Sequence, residues 1–195
     1  MDLIQIFTEA TLTEQIAYIL GIVGVVECFF IFYSKTREQI LFFKFLCDVI
    51  WLANYLLLGN ITGSVINGIN MVREVVFYHR GKKKWATSHI WVAVFLIANL
   101  TSPVYSLVSG AEGLYALLPA IGSGLNAFAF YHSKPQATRA IGFVAQALWL
   151  TYTIYGRNLL SSVANIVLII SAVLGAIRQY RADRKEKQNT KKSDA

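Results

Sequence analysis

Charge is what this 195-residue chain has least of. Asp, Glu, Lys and Arg together make up only 15% of it, against about 25% in a soluble domain. The shortage argues against a soluble enzyme, and the 55% hydrophobic content argues against a disordered chain. Cysteine is scarce too: Cys28 and Cys47 both lie in apolar runs, so no disulfide framework is implied. Two thiols without a histidine cluster suggest packing residues, not a metal site. The sequence has no HExxH, no GxSxG, no glycine-rich phosphate loop and no paired-metal cluster, so catalysis has no motif behind it and no cofactor is called for. The last apolar run holds no lysine, which excludes a retinal protein. The first residues lack a basic region and carry Asp2, Glu9 and Glu14, so the first apolar run is expected to stay in the mature protein.

What the chain does have is apolar runs. They cover roughly Gln15–Tyr33, Ile40–Leu58, Ile61–Tyr78, Ile90–Val108, Leu114–Tyr131, Ala140–Tyr155 and Leu159–Ile177, the sixth being the weakest. Each approaches the roughly 20 residues that cross a bilayer as a helix, and none alternates as a barrel strand does. The expectation is an all-α membrane protein with seven transmembrane helices. Thr11 and Glu14 have capping-box spacing before the first. Gly59-Asn60, Ser109-Gly110 and Gly156-Arg157-Asn158 read as tight turns. Pro103 should kink the fourth helix. Beyond Arg178 the polar tail reads as frayed.

The net charge of +7 comes from tracts beside these runs. That pattern fits topology charges and argues against a nucleic-acid partner. Lys35 and Arg37, Arg80 and Lys82–Lys84, Lys134 and Arg139, and the tail fall on one side, with Arg157 alone opposite. The positive-inside rule gives an outside N-terminus and an inside C-terminus. His79, His89 and His132 sit near helix ends as interface residues, and Trp85, Trp91, Tyr78, Tyr131 and Tyr180 read as an aromatic belt.

An internal repeat is the most informative feature. A shift of 98 positions lays Gly24 on Gly122, Tyr33 on Tyr131, Trp51 on Trp149, Asn60 on Asn158, Asn67 on Asn165 and Arg80 on Arg178, without a gap. Coincidences among Leu, Val and Ile are cheap in apolar sequence; matches of Trp, Asn, Gly and Arg at one offset are not. The chain divides into an outer segment 1–13, a first three-helix repeat 14–80, a basic loop with a linker helix 81–110, a second repeat 111–178 and a basic tail 179–195. An odd number of helices per repeat needs the linker to set both in the same orientation, giving a 3+1+3 parallel arrangement.

The stretch Asn54-Tyr-Leu-Leu-Leu-Gly59 with Asn67, Asn70 and Arg73, and the stretch Leu117-Leu-Pro-Ala-Ile-Gly122 with Trp149, resemble the YgjV family of bacterial inner-membrane proteins. That family is similar to a larger group holding SWEET sugar carriers, PnuC vitamin carriers and PQ-loop proteins. The resemblance implies the bacterial inner membrane and a SWEET-like fold. In SWEET carriers a Trp on the second helix and an Asn on the third helix of each repeat line the solute site, which implies Trp51, Asn67, Trp149 and Asn165 here. The chain departs from SWEET in having no proline in helices 1, 2 and 6.

Polar residues inside the runs extend this site. Asn70 joins Gly63, Asn67 and Glu74 on one stripe of the third helix, and Gln146 stands where the first repeat has Asp48. These six, Trp51, Asn67, Asn70, Trp149, Asn165 and Gln146, are the expected solute-binding residues. Glu27, Asp48, Arg73 and Glu74 are candidates for ion or proton coupling, because ionisable groups in hydrocarbon are costly. Lys44 lies one helical turn from Asp48, and the competing reading is a plain ion pair with amides bonding across helices. The expected function is a small-solute transporter or facilitator, with the bilayer and a small polar solute as partners and a homo-oligomer left open. The alternative is a non-transporting receptor or assembly factor, since the KDEL receptor has a similar architecture.

Overall fold

The computed structural model describes residues 10–131 and 135–193, and these form helices with no strand among them. The helices are α1 (Leu12–Tyr33), α2 (Arg37–Leu57), α3 (Ile61–His79), α4 (Ile90–Val108), α5 (Leu117–Tyr131), α6 (Pro135–Tyr155) and α7 (Leu159–Ser193). Single 3-10 turns at Lys84–Thr87 and Leu114–Ala116 precede α4 and α5. The readings of His132 and Lys134 lie outside the described residues.

Helix boundaries follow local chemistry. The Thr11–Glu14 capping box is formed, with the Glu14 N–H donating to Thr11 Oγ1 at 3.3 Å and the Thr11 N–H to Glu14 Oε2 at 2.8 Å. A second box at Thr36 and Gln39 starts α2. The turn before α3 reverses through Gly59 at φ +69°, and Asn60 then caps α3 by accepting from the Gly63 N–H at 2.7 Å. The turn before α7 repeats this with Arg157 at φ +53° and Asn158 accepting from the Ser161 N–H at 3.0 Å. The expected frayed tail is corrected: α7 runs on to Ser193, because past Arg178 the chain is mostly good helix formers with no Gly or Pro.

Each helix packs on its chain neighbours, α7 returns against α1, and α3 also touches α5. The helices therefore close a ring. Its outside is apolar: Ile22, Val26, Phe42, Val72, Ile97, Val104, Val144 and Ile170 are all exposed. Its inside mixes apolar residues such as Phe32, Phe77 and Phe130 with many polar ones, Lys44, Asp48, Asn54, Asn67, Asn70, Arg73, Glu74, Asn126, Gln146 and Asn165 all being buried. A water-soluble protein has the reverse distribution. Among the described residues, five segments are long and apolar enough to cross a bilayer: Leu12–Tyr33, Arg37–Leu57, Ile90–Val108, Leu114–Tyr131 and Leu159–Lys185. The helices α3 and α6 fall short of that apolarity because they carry much of the polar lining: Asn67, Asn70, Arg73 and Glu74 on α3, and Thr138, Arg139, Gln146 and Thr153 on α6.

Candidate functional site

The polar interior opens into one small cavity. It is lined from α2 by Lys44, Cys47, Asp48, Trp51 and Tyr55, from α3 by Asn67 and from α5 by Asn126. The helices α6 and α7 supply Gln146, Trp149, Ser161, Ala164, Asn165 and Leu168. Its volume is about 40 Å³, room for about one water molecule, whereas pockets for drug-sized ligands run to about 300–1,000 Å³. The two indoles are held in the same way. A Cβ built on Gly24 would lie 3.1 Å from Trp51 Cε2, and one on Gly122 would lie 3.0 Å from Trp149 Cδ1. Only a glycine lets each ring lie that close to the neighbouring helix.

Five of the six expected solute-binding residues, Trp51, Asn67, Trp149, Asn165 and Gln146, line this cavity. Asn67 and Asn165 do not bond to each other across it. Each donates to the carbonyl one turn earlier on its own helix, Asn67 to Gly63 O at 2.8 Å and Asn165 to Ser161 O at 2.7 Å. Asn70 lies apart, donating to Ser123 Oγ on α5 at 3.1 Å.

The coupling candidates separate. Asp48 lines the cavity and forms a buried ion pair with Lys44, which the four-residue spacing along α2 allows. Arg73 and Glu74 pair with each other instead, at 2.7 Å, fully buried. Arg73 also donates to Ser123 O at 2.7 Å and stacks over Phe130, so this pair fastens α3 to α5. Glu27 lies next to Cys28 and Cys47.

Residues 15–183 match the Imp-YgjV family model, described as bacterial inner membrane protein. The chain belongs to the YgjV family. With its apolar helices, it is a multi-pass protein of the bacterial inner membrane. No curated protein and no solved structure matches it.

At one end of the ring, four arginines bridge helices that are distant in sequence. Arg80, following α3, donates to Tyr131 O at the end of α5 and stacks on that ring. Arg178 on α7 donates to Tyr33 O at the end of α1 and stacks on that ring in turn. Arg37 donates to Phe77 O at 2.8 Å and to Phe130 O at 2.7 Å. Arg139 donates to Phe32 O at 3.0 Å and to Ser34 O at 2.7 Å. These carbonyls lie in or just after the last turns of α1, α3 and α5, where intrahelical partners run out, although Phe77 O also accepts from the Arg80 N–H at 3.2 Å. Sequence reading took these arginines only as topology charges. A signal was present, since Arg80 and Arg178, and Tyr33 and Tyr131, were already matched at the 98-residue shift.

The other end of the ring is held by neutral groups and one carboxyl. Thr62 and Ser106 share a hydrogen bond of 2.7 Å, and Tyr152 donates to Glu112 at 3.3 Å. Burial pushes the Glu112 carboxyl above its ordinary range, against hydrogen bonds from Thr62 and Tyr152.

A larger apolar recess of about 380 Å³ between α4 and α5, lined by residues such as Leu96, Leu100 and Phe128, carries no polar side chain to orient a solute.

Proposed function

We propose that this YgjV-family protein is a small-solute carrier or facilitator in a SWEET-like 3+1+3 arrangement, with all seven helices spanning and a neutral polar solute held between the repeats. The observation that carries the reading is the central cavity, to which Trp51 and Asn67 from one half and Trp149 and Asn165 from the other contribute at equivalent positions. The exchanged contacts Arg80–Tyr131 and Arg178–Tyr33 support the same pseudo-two-fold relation, each joining one half to the other at the same shift. So does the pairing of α1 with α7 and of α3 with α5.

In this reading the arginine end faces the cytoplasm, as the positive-inside rule requires, and forms an inner gate, closed in this conformation. Transport needs the gate to part and the cavity of about 40 Å³ to widen around solute. Lys44 and Asp48 provide charge beside the solute, and the amides and indoles provide hydrogen bonds and flat apolar faces. The protein has no catalytic role in this reading.

The test needs no known substrate. Single cysteines at Asn67 and Asn165, in a background with Cys28 and Cys47 replaced by alanine, are labelled with a membrane-impermeant thiol reagent in right-side-out and inside-out vesicles. A carrier labels from both sides. A receptor labels from one side only, and a sealed bundle from neither; either result rejects the reading.

A further inference from the structure

A second cluster of chemistry adjoins the cavity, sharing Cys47 with its wall. Cys28 on α1 and Cys47 on α2 bring their Sγ atoms to 3.4 Å, both buried and both free thiols. A carboxylate oxygen of Glu27 completes a triangle in which all three atoms lie within 4.8 Å of one another. Both Glu27 oxygens are shut off from solvent with no N–H or O–H donor, and the group facing them is the Cys47 thiol, a weak donor. Burying a carboxylate this way is costly unless something satisfies it.

We propose that Glu27, Cys28 and Cys47 form a binding site for a borderline or soft divalent cation of the Zn²⁺ or Cd²⁺ type. The donor set is two potential thiolates and a carboxylate, a combination that selects such ions over Mg²⁺ or Ca²⁺. The spacing fits. Two sulfurs at about 2.3 Å from a tetrahedral zinc stand roughly 3.8 Å apart, so the pair needs to open by only a few tenths of an ångström. Three protein ligands leave a fourth position. Cys47 is part of the central cavity wall, which gives the ion an approach and that position a place for water. Lys44, the nearby cation, is paired with Asp48 and adds no uncompensated positive charge.

The probe is Cd²⁺, added to the reduced, tag-free full-length protein in detergent. One equivalent is expected to bind, with an ultraviolet thiolate-to-metal charge-transfer band, and Zn²⁺ in excess is expected to compete for the site. Cys28→Ser and Cys47→Ser should each remove the band. Glu27→Gln should keep the band and weaken binding by more than the roughly tenfold that loss of an outer-shell partner costs at other metal sites. A readout on the wild type needs no variant to fold: bound Cd²⁺ should protect both thiols from alkylation, scored by mass spectrometry. No charge-transfer band, a band retained in both serine variants, or alkylation unchanged by metal would each overturn the proposal. So would a Cys28–Cys47 disulfide that re-forms faster than Cd²⁺ binds.

Discussion

Arg80 caps the backbone carbonyl of Tyr131 while its guanidinium lies 3.6 Å from the centre of the same tyrosine ring. One side chain thus makes a charge-assisted hydrogen bond and a cation–π contact with one residue. Arg178 does the same to Tyr33, at 4.1 Å from the ring centre. A lysine can supply the charge but not the planar stack. Arg80→Ala and Arg178→Ala are each expected to cost about 1–3 kcal/mol, with Arg80→Lys in between. Reversible unfolding of the purified protein in detergent checks this. Equal stability of the Lys and wild-type proteins would show that the stacking contributes nothing.

The Lys44–Asp48 pair should behave as a buried unit. Removing one partner strands a charge, so Lys44→Met and Asp48→Leu are each expected to cost about 3–5 kcal/mol, while the two changes together cost less than either. A double-mutant cycle on unfolding free energy reads this directly. Additive losses would mean that solvent or other groups already screen the two charges.

Three glycines should rank by what a new Cβ meets. At Gly175 it would sit 2.2 Å from the Phe32 carbonyl oxygen, and at Gly122 2.9 Å from the Ala145 carbonyl oxygen. At Gly24 the nearest atoms, at 3.1 Å, belong to the Trp51 ring, a side chain that can shift. Melting temperatures of the alanine variants should therefore fall in the order Gly24→Ala above Gly122→Ala above Gly175→Ala. Backbone oxygens cannot step aside without moving a helix, and overpacking of this kind costs about 1–3 kcal/mol or more. A Gly175→Ala protein as stable as wild type would mean that α1 and α7 sit farther apart than described.

Glu112 sets a pH dependence of definite sign. Its raised folded-state pKa, caused by burial, means that the folded protein holds this proton where the unfolded chain has released it. Stability attributable to Glu112 must then fall as pH rises from the ordinary carboxylate range toward neutrality. Glu112→Gln should remove that slope. Melting temperatures of the two proteins across mildly acidic to neutral pH provide the check, and parallel curves would count against a buried carboxyl at this position.

The sequence by itself determined the helices, their turns and the environment. Apolar runs of spanning length admit few backbones in lipid, Thr11, Asn60 and Asn158 mark helix starts by local capping, and charge placed in tracts leaves the outer surface apolar. The resemblance to SWEET carriers implied Trp51, Asn67, Trp149 and Asn165, and the repeat added Gln146; all five line one cavity, the amides because polar groups in apolar helices must turn inward. What sequence could not decide is which inward-facing groups share a space. Helical spacing puts Asn67, Asn70 and Glu74 on one stripe, yet only Asn67 reaches the cavity, since the neighbouring helix supplies Ser123 to Asn70 and Arg73 closes on Glu74. The arginine bridges were hidden for the same reason. Their acceptors are backbone carbonyls more than 100 residues away for Arg139 and Arg178, and every residue has a carbonyl. Only the closing of the ring chooses which carbonyl an arginine meets.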